Sequence, residues 1–193
     1  MSGPGGRQSA RSFSGESGEQ MMKPHISVCM PVYQGASTLV ATLRSVLASA
    51  RADFEVVIRD NGSTDGTSDV IAGFDDPRIR YIRSEGTLPL PANWRATVGQ
   101  ARGELIKVVC ADDLISPDCL ASQAALLEDP TVALVACRRD FIDGNGRILT
   151  RNAGLPRLLG RRGVSEVARA TVRFGINPVG EPACAMFRRK DYD

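Results

Sequence analysis

The sequence contains almost no histidine, and this scarcity argues against several kinds of active site. His25 is the single histidine among 193 residues, and it precedes the first predicted strand. A Ser-His-Asp triad, a histidine general base and a histidine-rich zinc site are therefore disfavoured. Any catalysis by this chain would have to use carboxylates, hydroxyls, backbone amides or a metal ion.

Aromatic residues and excess charge are also scarce, at 5% of the chain and a net charge of +2. The near balance of acids and bases predicts no nucleic-acid-binding surface. No uninterrupted apolar run approaches the length of a membrane span, and the first residues lack the apolar core of a signal peptide. We expect no transmembrane segment and a cytoplasmic location. Peripheral attachment at the inner membrane face through Arg161-Arg162 or Arg188-Arg189-Lys190 is left open.

The cysteines lack the paired spacing of a metal site or a disulfide scaffold. Five are spread along the chain: Cys29, Cys110, Cys119, Cys137 and Cys184. Three of them lie in apolar, strand-like runs, where a free cysteine behaves as a small buried hydrophobe. This usage favours a reducing compartment.

Hydrophobic periodicity predicts an α/β domain after a disordered tail over residues 1–22, which are rich in Ser, Gly and Gln. The predicted strands cover residues 26–30, 54–58, 78–83, 105–111, 132–137 and 183–187. The predicted helices cover residues 37–50, 67–74, 92–100, 117–127 and 165–174. A hairpin turn is expected at 143–146 and a long loop at 151–163. Alternating strands and helices predict a mainly parallel sheet flanked by helices.

Polar residues follow the carboxyl ends of the predicted strands, where parallel sheets bind ligands. These residues are Tyr33, Asp60-Asn61, Arg83 and Asp112-Asp113. A glycine loop with lysine and an aspartate at the tip of the first strand are both missing, since Pro31 and Val32 stand at that tip. This argues against a phosphoryl-transfer enzyme.

Two adjacent carboxylates, Asp112 and Asp113, end the apolar run over residues 105–111. Unpaired, they repel each other, and a divalent cation would relieve the repulsion. The alternative is that one of them caps the next helix. However, residues 116–118 (Ser-Pro-Asp) already offer a capping serine and a proline at the first helical position. A metal or ligand role is therefore one of two open interpretations for the pair.

Several of these segments together resemble the family 2 glycosyltransferases, which have the nucleotide-sugar-binding GT-A fold. The resemblance runs from about residue 24 to the end. It rests on residues 26–33 (ISVCMPVY), residues 55–67 with their DNGSTDGT core, Asn93, residues 102–104 (RGE), residues 110–113 (CADD), residues 180–182 (GEP) and residues 186–189 (MFRR). It implies a single GT-A-like, Rossmann-like domain that transfers a sugar from a nucleotide diphosphate sugar with inversion at the anomeric carbon.

The resemblance also implies roles for individual residues. Pro31, Val32 and Tyr33 would flank the base and ribose, and Asp60 and Asn61 would bind the base. Asp112 would contact donor hydroxyls at the catalytic centre, and Asp113 would bind Mg²⁺ or Mn²⁺. The amide of Asn61 suits a uracil or thymine edge, which favours a UDP- or dTDP-sugar. Tyr33 as a packed strand-end residue and Asn61 as an ordinary turn residue remain alternatives.

The sequence departs from the family pattern in its base-recognition and metal-binding residues and in the region of the catalytic base. Many relatives have a second aspartate where this chain has Asn61, and an acid where it has Cys110. Relatives also continue further, into a region with the carboxylate that deprotonates the acceptor. Glu181 is the remaining candidate for that catalytic base, with an ordinary loop role as its alternative.

We therefore expect a nucleotide-sugar-binding half over residues 23–137 and an incomplete acceptor-side region over residues 138–193. The acceptor would be a saccharide or a lipid-linked molecule in the synthesis of cell-surface polysaccharide. A catalytically incomplete nucleotide-sugar-binding module is the alternative.

Overall fold

The structure, a computed structural model, describes residues 23–154, 159–175, 177 and 179–192. The tail predicted over residues 1–22 lies outside the described residues. The strands are β1 (Ile26–Val32), β2 (Phe54–Asp60), β3 (Ile79–Arg83), β4 (Leu105–Val108), β5 (Leu134–Ala136), β6 (Arg139–Ile142), β7 (Ile148–Ala153) and β8 (Ala185–Arg188). The helices are α1 (Leu39–Leu47), α2 (Thr67–Ala72), α3 (Leu90–Val98), α4 (Cys119–Leu126) and α5 (Val164–Phe174).

The main sheet has the strand order β3-β2-β1-β4-β8-β5. Strands β1 to β4 are mutually parallel, and β8 runs antiparallel to both β4 and β5. The predicted α/β class, with a mainly parallel sheet flanked by helices, is confirmed. The predicted hairpin is also present, because β6 and β7 pair with each other across the turn at residues 143–146.

Both faces of the central strands are buried, which explains why these strands read as continuous apolar runs. Ile26, Val28 and Met30 of β1 pack with Leu39 and Leu43 of α1 on one face. Cys29 lies on the other face, in a second cluster with Ile106 and Val98. Each fully buried aliphatic side chain contributes roughly 1.5–3 kcal/mol to folding.

Strand β1 continues through Pro31, so the prediction that proline would stop it at Met30 was wrong. Along β1 the odd-numbered backbone groups face β4, as the bond from Val109 N to Cys29 O shows (3.0 Å). The pairing with β4 stops at Cys29 and Val108. The proline nitrogen of Pro31 therefore faces a side where no ladder partner remains, and β1 keeps its pairing with β2 up to Val32 and Asp60.

The aspartate pair lies in a turn after β4, because that strand already ends at Val108. Asp113 N donates to Cys110 O (3.1 Å) and closes this turn. Helix α4 begins at Cys119 with Asp118 at its N-cap and no side-chain cap bond, so the predicted capping role of Ser116 was wrong. The pair is also too far upstream to cap α4.

Strand β8 joins the predicted acceptor-side region to the main sheet, since it lies between β4 and β5. The predicted loop over 151–163 is shorter than expected, because β7 continues to Ala153. Among the described residues, no helix is both long and apolar enough to cross a lipid bilayer.

Candidate functional site

The carboxyl ends of β1, β2 and β3 lie side by side, as the sequence predicted. Val32 pairs with Asp60, and Asp60 pairs with Arg83. The turn after β4 reaches the same edge: Thr42 Oγ1 donates to Ala111 O (2.8 Å), and a Cβ on Gly35 would lie 3.2 Å from Ala111 Cβ. The polar residues that follow these strands therefore meet at one edge, which we call the aspartate edge.

Asp60 is completely buried at this edge, and its carboxylate is fully occupied by protein groups. Oδ1 accepts a bond from Ser63 N (2.8 Å), and Oδ2 accepts bonds from Tyr81 Oη (2.9 Å) and Arg83 (3.0 Å). Arg83 also donates to Ser63 O (2.7 Å). Asp60 thus fixes the loop after β2 in this conformation, and its carboxylate faces no open space in which a base could sit.

Asn61 holds a different loop. Its Nδ2 donates to Leu88 O (2.9 Å), and its Oδ1 accepts from Leu88 N (2.8 Å). The side chain is only 4% exposed. Both hydrogen-bonding ends that the sequence offered to a nucleobase are therefore taken by the segment between β3 and α3.

The loops after β1 and β2 are joined by side-chain hydrogen bonds. Gln34 pairs with Thr64 through both ends of its amide (3.1 and 2.9 Å), and Gly35 N donates to Thr67 Oγ1 (3.0 Å). Ala36 N donates to Asp65 Oδ2 (2.9 Å). Bonds from Thr67 and from the Ala36 amide lower the pKa of Asp65, which stays an acceptor for both loops. Polar side chains within residues 61–67 therefore hold the loops after β1 and β2 together.

Tyr33 is the exposed member of the β1 tip. Its side chain is 54% exposed, whereas Pro31 and Val32 are buried. Val32 O accepts the backbone bond from Asn61 N (2.8 Å), so it connects the two strand ends. Of these three residues, only Tyr33 has an exposed side chain, so the alternative of a packed strand-end tyrosine does not describe it.

The two aspartates differ in environment. Asp112 is exposed, while Asp113 is half-buried. Burial raises the pKa of Asp113, and the charges of Asp112 and Glu181 raise it further, against the lowering effects of the Cys110 backbone and Lys107. Asp113 is therefore a carboxylate whose negative charge lacks a sufficient counter-charge, which is the situation that cation binding would relieve.

Glu181 lies near this pair because β8 is antiparallel and begins at the edge where the parallel strands end. Its own carboxylate forms an ion pair with Arg139 at the start of β6. The structure thus brings the predicted base to the aspartate edge, but it also engages that base with a guanidinium group.

The donor set at the aspartate edge fits a hard divalent cation. Within the residues that the structure describes, no three acidic, cysteine or histidine side chains converge on a common metal position. Mg²⁺ and Mn²⁺ are commonly held by one or two carboxylates, with phosphate oxygens and waters completing the shell. Asp113, with Asp112 beside it, supplies that partial set.

Other residues that carried the resemblance lie at the opposite edge of the sheet. Ser27 Oγ donates to Glu55 Oε1 (2.6 Å), and the same hydroxyl accepts from Gly103 N (2.8 Å). Arg102 N donates to Glu55 Oε1 (2.7 Å). These residues hold the strands in register and do not reach the aspartates. Asn93 lies elsewhere: it is buried near the start of α3 and accepts a bond from Arg59 (3.0 Å), which directly precedes Asp60 at the carboxyl end of β2.

Sequence reasoning missed Gln34, Ser63 and Leu88, which hold the loops of the aspartate edge, and Arg139, which pairs with Glu181. Gln34 carries one available signal, since it follows a strand and precedes a glycine. It adopts a left-handed conformation (φ 53°), which residues at sharp turns favour. Leu88 and Arg139 have partners that are distant along the chain and leave no local pattern, whereas one partner of Ser63, Asp60, is only three residues away.

Comparison with known proteins gives a consistent family. The family model described as glycosyl transferase family 2 matches residues 27–193. The uncharacterized protein MT1568 of Mycobacterium tuberculosis is 33% identical over 177 residues, which cover 87% of this chain and 54% of that protein. The succinoglycan biosynthesis protein ExoO of Rhizobium meliloti is 29% identical, covering 65% of this chain and 36% of that protein. The chain thus spans about half or less of the length of these relatives.

Solved structures share the fold at low sequence identity. The structure of S. aureus TarS 1–349 in complex with UDP-GlcNAc matches with a TM-score of 0.65 and 19% identity, over 85% of this chain and 45% of that one. The mannosyltransferase PcManGT of Pyrobaculum calidifontis, in complex with GDP-Man and Mn²⁺, matches with a TM-score of 0.62 and 23% identity, over 88% and 46%. Since the family model covers most of the sequence, this chain belongs to glycosyl transferase family 2.

Proposed function

We propose that this chain is the nucleotide-sugar-binding part of a metal-dependent, inverting glycosyltransferase. The observation that carries the proposal is the aspartate edge. There, Tyr33 and Asp112 are exposed and Asp113 has a raised pKa, and these residues follow neighbouring parallel strands. Strand ends of this kind are where open α/β sheets bind nucleotides. Membership of the family supports the same reaction class, and relatives of known structure bind UDP-GlcNAc or GDP-Man.

Within this proposal, Asp113 is the metal ligand and Asp112 contacts hydroxyls of the donor near the reacting carbon. Tyr33 stacks on the base through its exposed ring. Pro31 and Val32 set the backbone beside the base and ribose. When bound, Mg²⁺ or Mn²⁺ would act as a Lewis acid that neutralises charge on the leaving diphosphate.

The roles of Asp60 and Asn61 are proposed here in modified form. Their polar atoms are occupied by Ser63, Tyr81, Arg83 and Leu88. We therefore propose that they shape the loops that enclose the nucleobase. For Asn61 to contact a uracil or thymine edge directly, its two bonds to Leu88 would have to be replaced by bonds to the nucleobase. A UDP- or dTDP-sugar remains the favoured donor.

Glu181 is the proposed general base toward a saccharide or lipid-linked acceptor. To act, its carboxylate would have to leave Arg139 or share it with the acceptor hydroxyl. The name of the ExoO relative supports a place in surface polysaccharide synthesis. We propose a cytoplasmic location, either free in the cytoplasm or attached to the inner face of the membrane.

A second candidate is a binding module that holds the donor without turnover. It is favoured by the ion pair of Glu181 with Arg139, because a carboxylate held by a guanidinium is a poor base.

A thermal-shift screen of nucleotide diphosphates and nucleotide sugars, with and without Mn²⁺, tests the donor site. We expect stabilisation that requires both a nucleotide diphosphate and the cation. Acceptor-dependent release of nucleotide diphosphate then separates the two candidates: release supports the transferase, and donor binding without any release supports the module. No metal-dependent nucleotide binding would contradict both.

A further inference from the structure

Two cysteines that the proposed function does not use contact one buried amide, and a third cysteine, Cys137, bonds to the second of them. Cys119 Sγ lies 3.7 Å from Gln123 Oε1, and Gln123 Nε2 donates to the backbone oxygen of Cys184 (2.7 Å). Lys107 Nζ donates to the same Gln123 Oε1 (2.6 Å), and the lysine side chain is fully buried. We call Cys119, Cys137 and Cys184 the thiol cluster. Cys137 is exposed, whereas Cys184 is buried.

Cys137 and Cys184 lie next to each other just beyond the paired ends of β5 and β8. The last pair in register is Ala136 with Ala185, and one further backbone bond follows it, from Cys137 N to Cys184 O (3.0 Å). Directly opposed residues of a hydrogen-bonded antiparallel pair have Cα atoms about 5.5 Å apart. A disulfide spans Cα distances of roughly 4.4–6.8 Å, so the backbone is already placed for one.

The chemistry of the cluster favours this pair over other combinations. A hydrogen bond from the Cys137 thiol and the charge of Arg139 lower the pKa of Cys184 from 9.0 to about 7, against the effect of burial. In contrast, the bond with Cys137 and then burial raise the pKa of Cys119. Burial raises the pKa of Cys29 and of Cys110 to about 12. Cys184 is thus the one thiol of the five whose pKa is lowered. The bond with Cys119 lowers the pKa of Cys137, but the bond with Cys184 and burial outweigh it, so that pKa is raised. Cys137 is nevertheless the exposed partner and therefore the one that an oxidant can reach.

Metal binding does not explain the cluster. Among the residues described, cysteine, histidine and acidic side chains form no group of three with metal-binding geometry. Where a disulfide does form in a reducing compartment, it is usually transient and catalytic or redox-sensing.

We propose that Cys137 and Cys184 form a reversible disulfide when the protein meets a hydroperoxide. The sulfur of Cys137 attacks the peroxide, so that an S–O bond forms and the O–O bond breaks. The leaving oxygen takes up the proton of the Cys137 thiol and departs as water, or as an alcohol when the hydroperoxide is organic. The thiolate of Cys184 then attacks this sulfur. An S–S bond forms, and the oxygen leaves as hydroxide and takes up the proton that Cys184 had lost, giving water. The two sulfurs lose two electrons in total, and the peroxide gains them; a small thiol reverses the step.

The disulfide would tie the end of β5 to the turn that carries Glu181. Cys184 N donates to Glu181 O (2.9 Å), and Cys184 Sγ lies 3.9 Å from Glu181 Oε2. The inference about the bond itself does not depend on the proposed function, because it rests only on the placement and chemistry of the cysteines.

Peptide mapping of the full chain after graded treatment with hydrogen peroxide tests the proposal. The protein is first reduced, then oxidised, alkylated and digested without reductant. We expect loss of two of the five free thiols and a cross-linked peptide that joins Cys137 to Cys184. Reduction with glutathione should restore both thiols. Cys29 and Cys110 are internal controls in the same sample and should stay alkylated.

Two variants keep the test decisive. Cys119→Ser should leave the cross-link unchanged, and Cys137→Ser should abolish it. A Cys119–Cys137 cross-link as the main product would overturn the assignment. So would oxidation of the pair only at the peroxide concentration that also consumes Cys29 and Cys110.

Discussion

The side-chain amide of Asn61 pairs with the backbone of Leu88 at both of its ends, 27 residues further along the chain. This pairing is the only described side-chain anchor between the end of β2 and residues 87–89. Since Asn61 also follows Asp60 at the aspartate edge, one residue connects the strand tip to the loop that would border the base. The position of this loop therefore depends on an amide that donates and accepts at once.

Asn61→Ala should lower the free energy of unfolding by about 1–2 kcal/mol, since two buried hydrogen bonds are lost. It should weaken nucleotide binding more than it changes the dependence on metal, because the loop and not the aspartates is disturbed. Denaturant unfolding and calorimetry with a nucleotide diphosphate measure the two effects. Asn145→Ala, in the exposed hairpin turn, is the control. Unchanged stability and unchanged nucleotide preference would contradict the assigned role.

Asp113→Asn should abolish metal-dependent donor binding while the fold stays intact. Without ligand, the variant should be slightly more stable than the wild type at pH 7, by at most about 1 kcal/mol, because a partly exposed charge in an acidic surrounding is removed. Calorimetry with Mn²⁺ and donor, together with thermal unfolding, measures both. Asp118→Asn, an exposed acid ahead of α4, is the matched control. Donor and Mn²⁺ affinities equal to those of the wild type would remove Asp113 from the metal site.

The pKa of Asp113 also predicts a pH dependence. Its folded-state pKa is raised, first by burial and then by Asp112 and Glu181. The folded protein therefore takes up a proton before the unfolded chain does. The destabilising contribution is fully present above the folded pKa and is relieved as the pH falls through it toward the ordinary value. A carbon-detected NMR titration should give a midpoint for Asp113 above 3.8, and Asp112→Asn should lower that midpoint. The same midpoint in both proteins would show that the pair is not coupled.

Gly35→Ala should destabilise the protein by about 1–3 kcal/mol, because the added methyl group overpacks a filled space. The new Cβ would lie 2.9 Å from Val32 Cγ1 and 3.2 Å from Ala111 Cβ. Either the loop after β1 or the turn before Asp112 must move, so donor binding should fall as well. Denaturant unfolding with a donor titration tests this. Gly86→Ala provides the comparison, since nothing lies within 4 Å of its Cβ position. Equal effects of the two substitutions would show that the contact is unimportant.

Local patterns were enough to predict the strand and helix order, because β1, β2 and β4 are buried on both faces and α1 has a clear apolar stripe. They also placed Tyr33, Asn61 and Asp113 at one edge, since parallel strands share their carboxyl ends. They could not predict the partners of Asn61 or Asp60, which come from β3 and the loop after it. Nor could they predict the thiol cluster, because the insertion of β8 between β4 and β5 brings Cys184 to Cys137.

Glu181→Gln tests the proposed general base. If Glu181 accepts the acceptor proton, the substitution should lower acceptor-dependent release of nucleotide diphosphate by about 100-fold or more, because general-base catalysis contributes 10²–10⁴-fold. Donor and Mn²⁺ binding should change little, since Asp113 and the loops proposed to enclose the nucleobase remain. The pKa of Asp113 should fall, because one of the charges that raises it is gone.

Arg139→Gln separates catalysis from the ion pair, which Glu181→Gln also breaks. If the pair restrains Glu181, Arg139→Gln should preserve or raise the rate, whereas Glu181→Gln lowers it. Equal losses in the two variants would mean that the pair only holds the turn before β8, and the base would then have to lie elsewhere. The comparison is decisive because both substitutions remove the same contact and only one of them removes the carboxylate.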